Sequence, residues 1–288
     1  MNISAKVKAL NVVRSIFKFP LLERALASLT YGKLPDHVFS KLVPNPYQYS
    51  PGAFREVQRD GLTLQVDISD YIGHYLYFGF LDTGIANLFS LCKKNNTVID
   101  IGANIGWTAL NFAQLSATGT VIGFEPDPFN YSVCKANIAR NTLPNLMVLP
   151  FGLGETSAEV MMEVRTPENR GGNRIAPQGS AGAVNVHIKR LDDVTEVSSL
   201  SAINLMKLDV EGYELKVLRG AKNILQKHKP TLFIEVDDDN LNDQHDSAKD
   251  LVSFLEACGY SSIRHAETNA AVTSSYNFSH CHFDIIAQ

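Results

Sequence analysis

The chain has 288 residues, 45% hydrophobic and 19% charged, with a formal charge of −4. That length accommodates one large α/β domain and a smaller appendage, and the composition is ordinary for a globular protein. A net negative chain offers no global positive field to nucleic acid, which argues against a DNA or RNA substrate.

Residues 4–29 are predicted to be helical, with Lys6, Lys8, Arg14 and Lys18 set among Val7, Leu10, Val13, Phe17 and Leu21. Pro20 should break or kink that helix. A basic amphipathic segment of this kind can make peripheral contact with a membrane or a partner; packing on its own domain is the other reading. No apolar stretch is long enough for a transmembrane segment, and the N-terminus lacks the pattern of a signal peptide. "PDHVFSKLVPNPYQYSPG" reads as an irregular connector. The chain thus divides into a helical and irregular N-terminal extension, residues 1–60, and a main domain over residues 61–288.

In "GLTLQVDIS" the alternation of Leu62, Leu64, Val66 and Ile68 with polar residues predicts a half-buried strand. A short aromatic segment and a helix ending near Lys93 should follow. From Thr97 the rhythm is strand, helix, strand. Strands are expected at Val98–Ile101, Val121–Phe124 and Leu146–Leu149. Asp127-Pro128 reads as the N-cap and first position of a helix reaching about Asn141. Val160–Val164 and Val184–Ile188 suggest a hairpin-like insertion around a mobile loop at about 164–183. Further strands are read at Ile203–Leu208, "TLFIEV", Tyr260–Arg264 and His282–Ala287. The helices between them are one with Leu215, Leu218, Ala221 and Leu225, stopped by Pro230, and one over Asp246–Cys258. This alternation implies a mostly parallel, doubly wound sheet, whose ligands sit at the carboxyl ends of the strands near the switch point. The four cysteines are scattered without a CxxC pair, so they read as reduced thiols in a cytoplasmic protein.

"VIDIGANIGWTALNFA" carries the chemistry. A phosphate-binding loop needs Lys and Ser or Thr after its second glycine, and here Trp107-Thr108 follow Gly106. A dinucleotide loop needs a third glycine, where Trp107 stands. Asp100, at the strand's end, repels phosphate and suits a cation. Glu125 ends the next strand, nineteen residues after Gly106, where a carboxylate can accept both hydroxyls of a ribose. A ribose acceptor beside an acidic glycine turn suits a nucleoside with a positive sulfur, S-adenosylmethionine. A plain strand–turn–helix is the competing reading.

Together with "GTVIGFEPDPFNYSVCKANIARN", "INLMKLDVEGYELKVLRGA" and "PTLFIEV", the stretch resembles the FkbM-type family of S-adenosylmethionine-dependent methyltransferases, from about Leu62 to the C-terminus. The resemblance implies a Rossmann-like class I methyltransferase fold, with seven strands, one of them antiparallel, and helices on both faces. It also implies that Asp100, Gly102, Asn104 and Gly106 line the methionine end of the cofactor. Glu125 would hold the ribose with Pro126 and Asp127 beside it, and Phe151-Gly152 would grip adenine. For Asp127 a helix cap, and for Phe151 a core position, are the alternatives.

"LMKLDVEGYEL" sets Lys207, Asp209 and Glu211 at spacing two, one face if extended. Methyl transfer to an alcohol needs alignment and removal of a proton from a poorly acidic hydroxyl. Asp209 and Glu211 are candidates for base or metal duty, with Lys207 orienting them. Glu235 and Asp237 could join Asp209 in a magnesium site. A buried Lys207–carboxylate pair ahead of a helix start is the plain alternative. His280 and His282 would share a strand face, which polar strand edges explain without zinc. Arg165, Arg170 and Arg174 are either solvated loop charges or contacts for an acidic or sugar-phosphate acceptor.

The expected function is O-methylation of a hydroxyl on a glycan or a small-molecule natural product. A non-catalytic cofactor-binding or scaffolding module, docked by the basic helix, is the alternative; intact Asp209 and Glu211 favour the enzyme. The sequence does not set the oligomeric state.

Overall fold

The computed structural model describes residues 5–164, 166, 169–176 and 183–288. Its residues group into two units, Met1–Asp82 with Arg165–Gly171, and Thr83–Val164 with Gly172–Gln288.

In the first unit the single expected helix is two, α1 (Ala5–Ile16) and α2 (Pro20–Thr30). Pro20 stands in the first turn of α2, where a missing N–H costs nothing. Next come β1 (Phe54–Arg59), β2 (Leu62–Asp67) and α3 (Tyr71–Phe78). The two strands pair antiparallel about Asp60-Gly61, both left-handed at φ +50° and +83°, the Asp-Gly signature of a tight hairpin. A domain boundary at 60/61 falls inside that turn, and the whole hairpin lies in the first unit. The aromatic segment is helical in α3, because Asp70 Oδ1 caps it by accepting from the N–H groups of Ile72 and Gly73. Asp70 Oδ2 accepts from the backbone N–H of Arg170, 2.8 Å away.

The second unit begins with α4 (Thr83–Ser90), β3 (Thr97–Ile101), α5 (Trp107–Leu115), β4 (Thr120–Phe124), α6 (Pro128–Ala139) and β5 (Leu146–Leu149). Then come β6 (Gly152–Leu153), β7 (Ala158–Glu163), β8 (Arg174–Ala176), β9 (Val184–Lys189) and α7 (Thr195–Ser198). It closes with β10 (Leu205–Leu208), α8 (Glu214–Gly220), α9 (Lys222–His228), β11 (Thr231–Asp237), α10 (Asp238–Asp243), α11 (Ala248–Ala257), β12 (Ile263–His265) and β13 (His282–Ala287). The expected helix through Ala221 is two, meeting where Gly220 lies so close to Gly154 that a Cβ would stand 1.9 Å from its carbonyl oxygen.

Seven strands run in the order β12-β13-β11-β10-β3-β4-β5, parallel except for β13. This is the class I methyltransferase arrangement, as expected. The chain lays β3, β4 and β5 outward on one side and then returns to place β10 on the other side of β3. The switch point therefore lies between the carboxyl ends of β3 and β10. Successive residues face opposite layers: Ile99, Ile101, Met206 and Leu208 join one buried cluster, and Val98 and Leu205 another. β7 and β9 pair antiparallel, as the insertion reading expects, with β8 and β6 at the edges of the small sheet. Of the loop read at 164–183, residues 165, 167–168 and 177–182, Arg165 included, lie outside the described residues. Arg174 is ion-paired, 2.5 Å from Asp243 and 3.5 Å from Glu163.

Candidate active site at the sheet's switch point

Parallel register sets Lys207 beside Asp100 and Asp100 beside Gly123. The two charged side chains continue the row begun by Leu205 and Val98, just where the strands end. Asp100 is fully buried. Its Oδ2 accepts from Thr108 Oγ1 at 2.6 Å, and its Oδ1 has no hydrogen-bond donor but lies 3.8 Å from Lys207 Nζ. Burial pushes the Asp100 carboxyl up, against the pull of Lys207 and Thr108. Lys207 Nζ lies 3.1 Å from Asp209 Oδ2 and donates to the Gly102 carbonyl at 2.9 Å. Burial alone would lower the lysine, but Asp209 and Asp100 outweigh it and hold it above its ordinary value.

The turn after β3 uses three left-handed residues, Gly102 (φ +84°), Asn104 (+49°) and Gly106 (+91°). A Cβ on Gly102 would stand 2.0 Å from the Asp209 carbonyl oxygen, and one on Gly106 2.8 Å from Cys134 Sγ. Backbone approach thus requires both glycines. The N–H groups of Gly102 and Ala103 donate to the Phe124 carbonyl, at 3.1 and 2.9 Å, tying the turn to β4. Glu125 adds to this: Oε2 accepts from the Asn104 N–H at 2.8 Å and Oε1 from the Asp127 N–H at 2.9 Å. Burial carries its carboxyl up to about 7.

Asp127 is the cap of α6. Its Oδ1 accepts from the N–H groups of Phe129 and Asn130, and its Oδ2 from Asn173 Nδ2 at 3.0 Å. Such a cap is worth about 1 kcal/mol, and it occupies the carboxylate that would otherwise reach toward a ligand. Pro126 packs beside Gly152, 3.4 Å from where a Cβ would be. Phe151 lies in the core, its ring 5.5 Å from that of Phe124, with Lys189 Nζ over its face at 4.3 Å.

Beyond β10 the extended spacing fails. The strand ends at Leu208, and Glu211 (φ +54°) and Gly212 (φ +96°) are both left-handed, so the three side chains do not share a strand face. Buried Glu214 fixes this turn, its Oε1 accepting from the N–H groups of Val210 (2.9 Å) and Gly212 (3.2 Å). Glu211 Oε2 accepts from Asn240 Nδ2 at 3.0 Å. The turn still gathers carboxylates: Asp209, Glu211 and Glu235 offer oxygens within 4.8 Å of one another. Burial, then Asp209 and Glu211, raise the Glu235 carboxyl well above its ordinary range.

Asp237 is outside that group, a correction to the expected magnesium set. It caps α10 by accepting from the Asn240 N–H at 2.8 Å, and it accepts from His282 Nδ1 at 2.9 Å. Carboxylates also gather without an ion, and magnesium is not supported by this grouping. His280 (φ +52°) precedes β13 and pairs with Asp239, so it does not share a strand face with His282.

Four members of this arrangement escape sequence reading: Thr108, Asn173, Glu214 and Asn240. Only Glu214 left a signal, an acidic residue at the start of a helix just after a glycine.

A family model described as "Methyltransferase FkbM domain" matches residues 100–262. The chain is 32% identical over 167 residues to methyltransferase sdnD of Sordaria araneosa, covering 47% of this chain and 62% of that one. It is 30% identical over 142 residues to the hexuronic acid methyltransferase AglP of Haloferax volcanii, covering 48% and 55%. It is 27% identical over 171 residues to the 2-O-methyltransferase NoeI of Sinorhizobium fredii, covering 54% and 69%. The matched stretch spans less than two thirds of the length of the first two relatives.

Proposed function

The chain belongs to the FkbM methyltransferase family, and on that premise we propose that it uses S-adenosylmethionine to methylate a hydroxyl, on a sugar of a glycan or on a natural product. The observation that carries the reading is the charge at the switch point. Asp100, Glu125, Asp209, Glu211 and Glu235 cluster around the strand ends with Lys207 among them. Such a site disfavours the phosphates of a dinucleotide and suits a cationic nucleoside.

The residues fit that cofactor on two counts. Asp100 Oδ1 is buried without a donor. Each Glu125 oxygen accepts one backbone N–H, which leaves lone pairs for two ribose hydroxyls. The cofactor would supply an electrophilic methyl on a positive sulfur. Glu125 would hold the ribose, and Asp100, Gly102, Asn104 and Gly106 would border the methionine end, with Pro126 and Gly152 at the adenine side.

Asp209 and Glu211 are the proposed acceptors of the proton from the substrate hydroxyl. Lys207 orients Asp209 through its 3.1 Å contact. Glu235, whose carboxyl is raised by burial and then by Asp209 and Glu211, stands within reach of both as a further oxygen on the proton's path. The sugar reading takes its support from the relatives named for a hexuronic acid and for 2-O-methylation.

Calorimetry with S-adenosylmethionine, run beside NAD, tests the premise of the site. Binding of NAD alone, or of neither, overturns it. With binding established, mass spectrometry of a panel of hexuronic acid and hexose glycosides reads out methyl transfer to oxygen.

A further inference from the structure

We propose that α1, α2 and the segment linking them form a docking surface for an anionic membrane, lying in the plane of the lipid headgroups. Large apolar side chains normally face inward along a surface helix, yet α2 is apolar on both faces. One face buries Leu26 and Ala27, with Glu23 paired to Arg55 at 2.7 Å and Thr30 bonded to the Phe78 carbonyl. The other presents Leu22 and Leu29, spaced to share a stripe, and Leu21, which is 82% exposed.

α1 repeats the arrangement. One side is pinned by polar bonds: Asn11 Nδ2 donates to Tyr47 Oη (3.0 Å) and Arg14 Nε to the Lys41 carbonyl (2.9 Å), and just past the helix Lys18 donates to the Gln48 carbonyl. These bonds turn Val12 and Ile16 outward, 72% and 53% exposed. Phe19, in the link between the helices, is 66% exposed. Exposed apolar residues scattered singly mean little, but two helical stripes, Val12 with Ile16 and Leu22 with Leu29, separated by only a short link that carries Phe19, mark an interaction surface.

Charge selects the occupant. Residues 1–41 hold seven Lys or Arg against two acidic residues, a net +5, so the remainder of a chain of charge −4 carries −9. Lys8, Lys18, Arg24, Lys33 and Lys41 are exposed in the same stretch as the apolar row. Exposed aliphatic and aromatic side chains within a basic stretch of an otherwise acidic chain are the combination that anionic lipid headgroups attract. The helices are of 12 and 11 residues, and among the described residues no helix is long and apolar enough to span. Contact is therefore in-plane.

The test needs no cofactor, so it fails or succeeds independently of the methyltransferase reading. The full chain is sedimented with vesicles of phosphatidylcholine alone and of phosphatidylcholine with about one third phosphatidylglycerol. Binding to the anionic vesicles, weakening as salt rises, is expected. Phe19→Ser with Leu21→Ser, at exposed positions where the melting temperature should stay unchanged, should cut partitioning about ten-fold or more. Absence of binding to anionic vesicles overturns the proposal, as does equal binding by the double variant. A concentration-dependent dimer that this variant abolishes, with no vesicle association, assigns the surface to a second copy and also overturns it.

Discussion

The backbone N–H of Asn104 donates to Glu125 Oε2 across 2.8 Å, so the turn after one strand is held by the carboxylate that ends the next. That carboxylate titrates near 7 because it is buried. Ribose hydroxyls donate best to its ionised form, so the affinity for S-adenosylmethionine should rise as pH passes upward through about 7 and level off above it. Glu125→Gln keeps the shape but loses the charge. Charge-assisted hydrogen bonds are worth about 1.5–3 kcal/mol, so the variant should bind roughly ten-fold or more weakly and lose the pH step. Calorimetry at pH 6 and 8 checks both; an unchanged step removes Glu125 from the ribose site.

Lys207 and Asp100 form a buried pair whose value shows when one partner is removed. Lys207→Met leaves the fully buried Asp100 opposite an uncharged chain, and breaking such a pair costs about 3–5 kcal/mol. Adding Asp100→Asn to Lys207→Met removes the orphaned charge and should recover part of that loss. Denaturant titration of the two single variants and the double reads the coupling. Additive losses would mean that the pair does not interact.

Much of this site was legible because its parts obey local rules. The apolar runs of β3 and β4, the Asp127-Pro128 helix start and the glycine turn follow from propensity and capping within a few residues. What escaped depends on distant neighbours. That Lys207 sits beside Asp100 is a matter of parallel register between strands 107 residues apart in sequence, which no spacing rule encodes. The face assigned to Glu211 failed because alternation assumes an extended chain, and two successive left-handed residues end it. Asp237 joins Glu235 in the expected metal set because both stand at the end of the same strand; the start of α10 claims its carboxylate instead. The Asp-Gly hairpin was readable from its turn residues.

His74, buried in the first unit, predicts an acid sensitivity. Its Nε2 donates to the Pro44 carbonyl at 2.7 Å, and burial lowers its pKa to about 4. In the unfolded chain the ring titrates near 6.5. Between those values the unfolded state binds a proton that the folded state refuses, so stability is full above about 6.5 and falls as pH drops toward 4. The full span corresponds to about 3 kcal/mol. His74→Gln retains a donor and abolishes the titration. Between pH 7 and pH 5, denaturant titration should show wild type losing about 2 kcal/mol more than the variant; equal losses would place the sensitivity elsewhere.

Asp209 and Glu211 separate binding from chemistry. Asp209 is 45% exposed on its side chain and Glu211 half-buried, so Asp209→Asn and Glu211→Gln should fold and bind S-adenosylmethionine near wild-type affinity. A general base typically contributes 10²–10⁴-fold, and the variant that removes it should lose about that much in kcat with KM for the acceptor little changed. The other should lose less, since its neighbour still takes the proton. Lys207 adds a discriminating control: Lys207→Arg preserves charge but displaces the 3.1 Å contact to Asp209, so kcat should fall while the cofactor still binds. If Asp209→Asn and Glu211→Gln both turn over at the wild-type rate, neither carboxylate is the base. Glu235, the third member of the group, then becomes the residue to change, and Glu235→Gln should carry the loss.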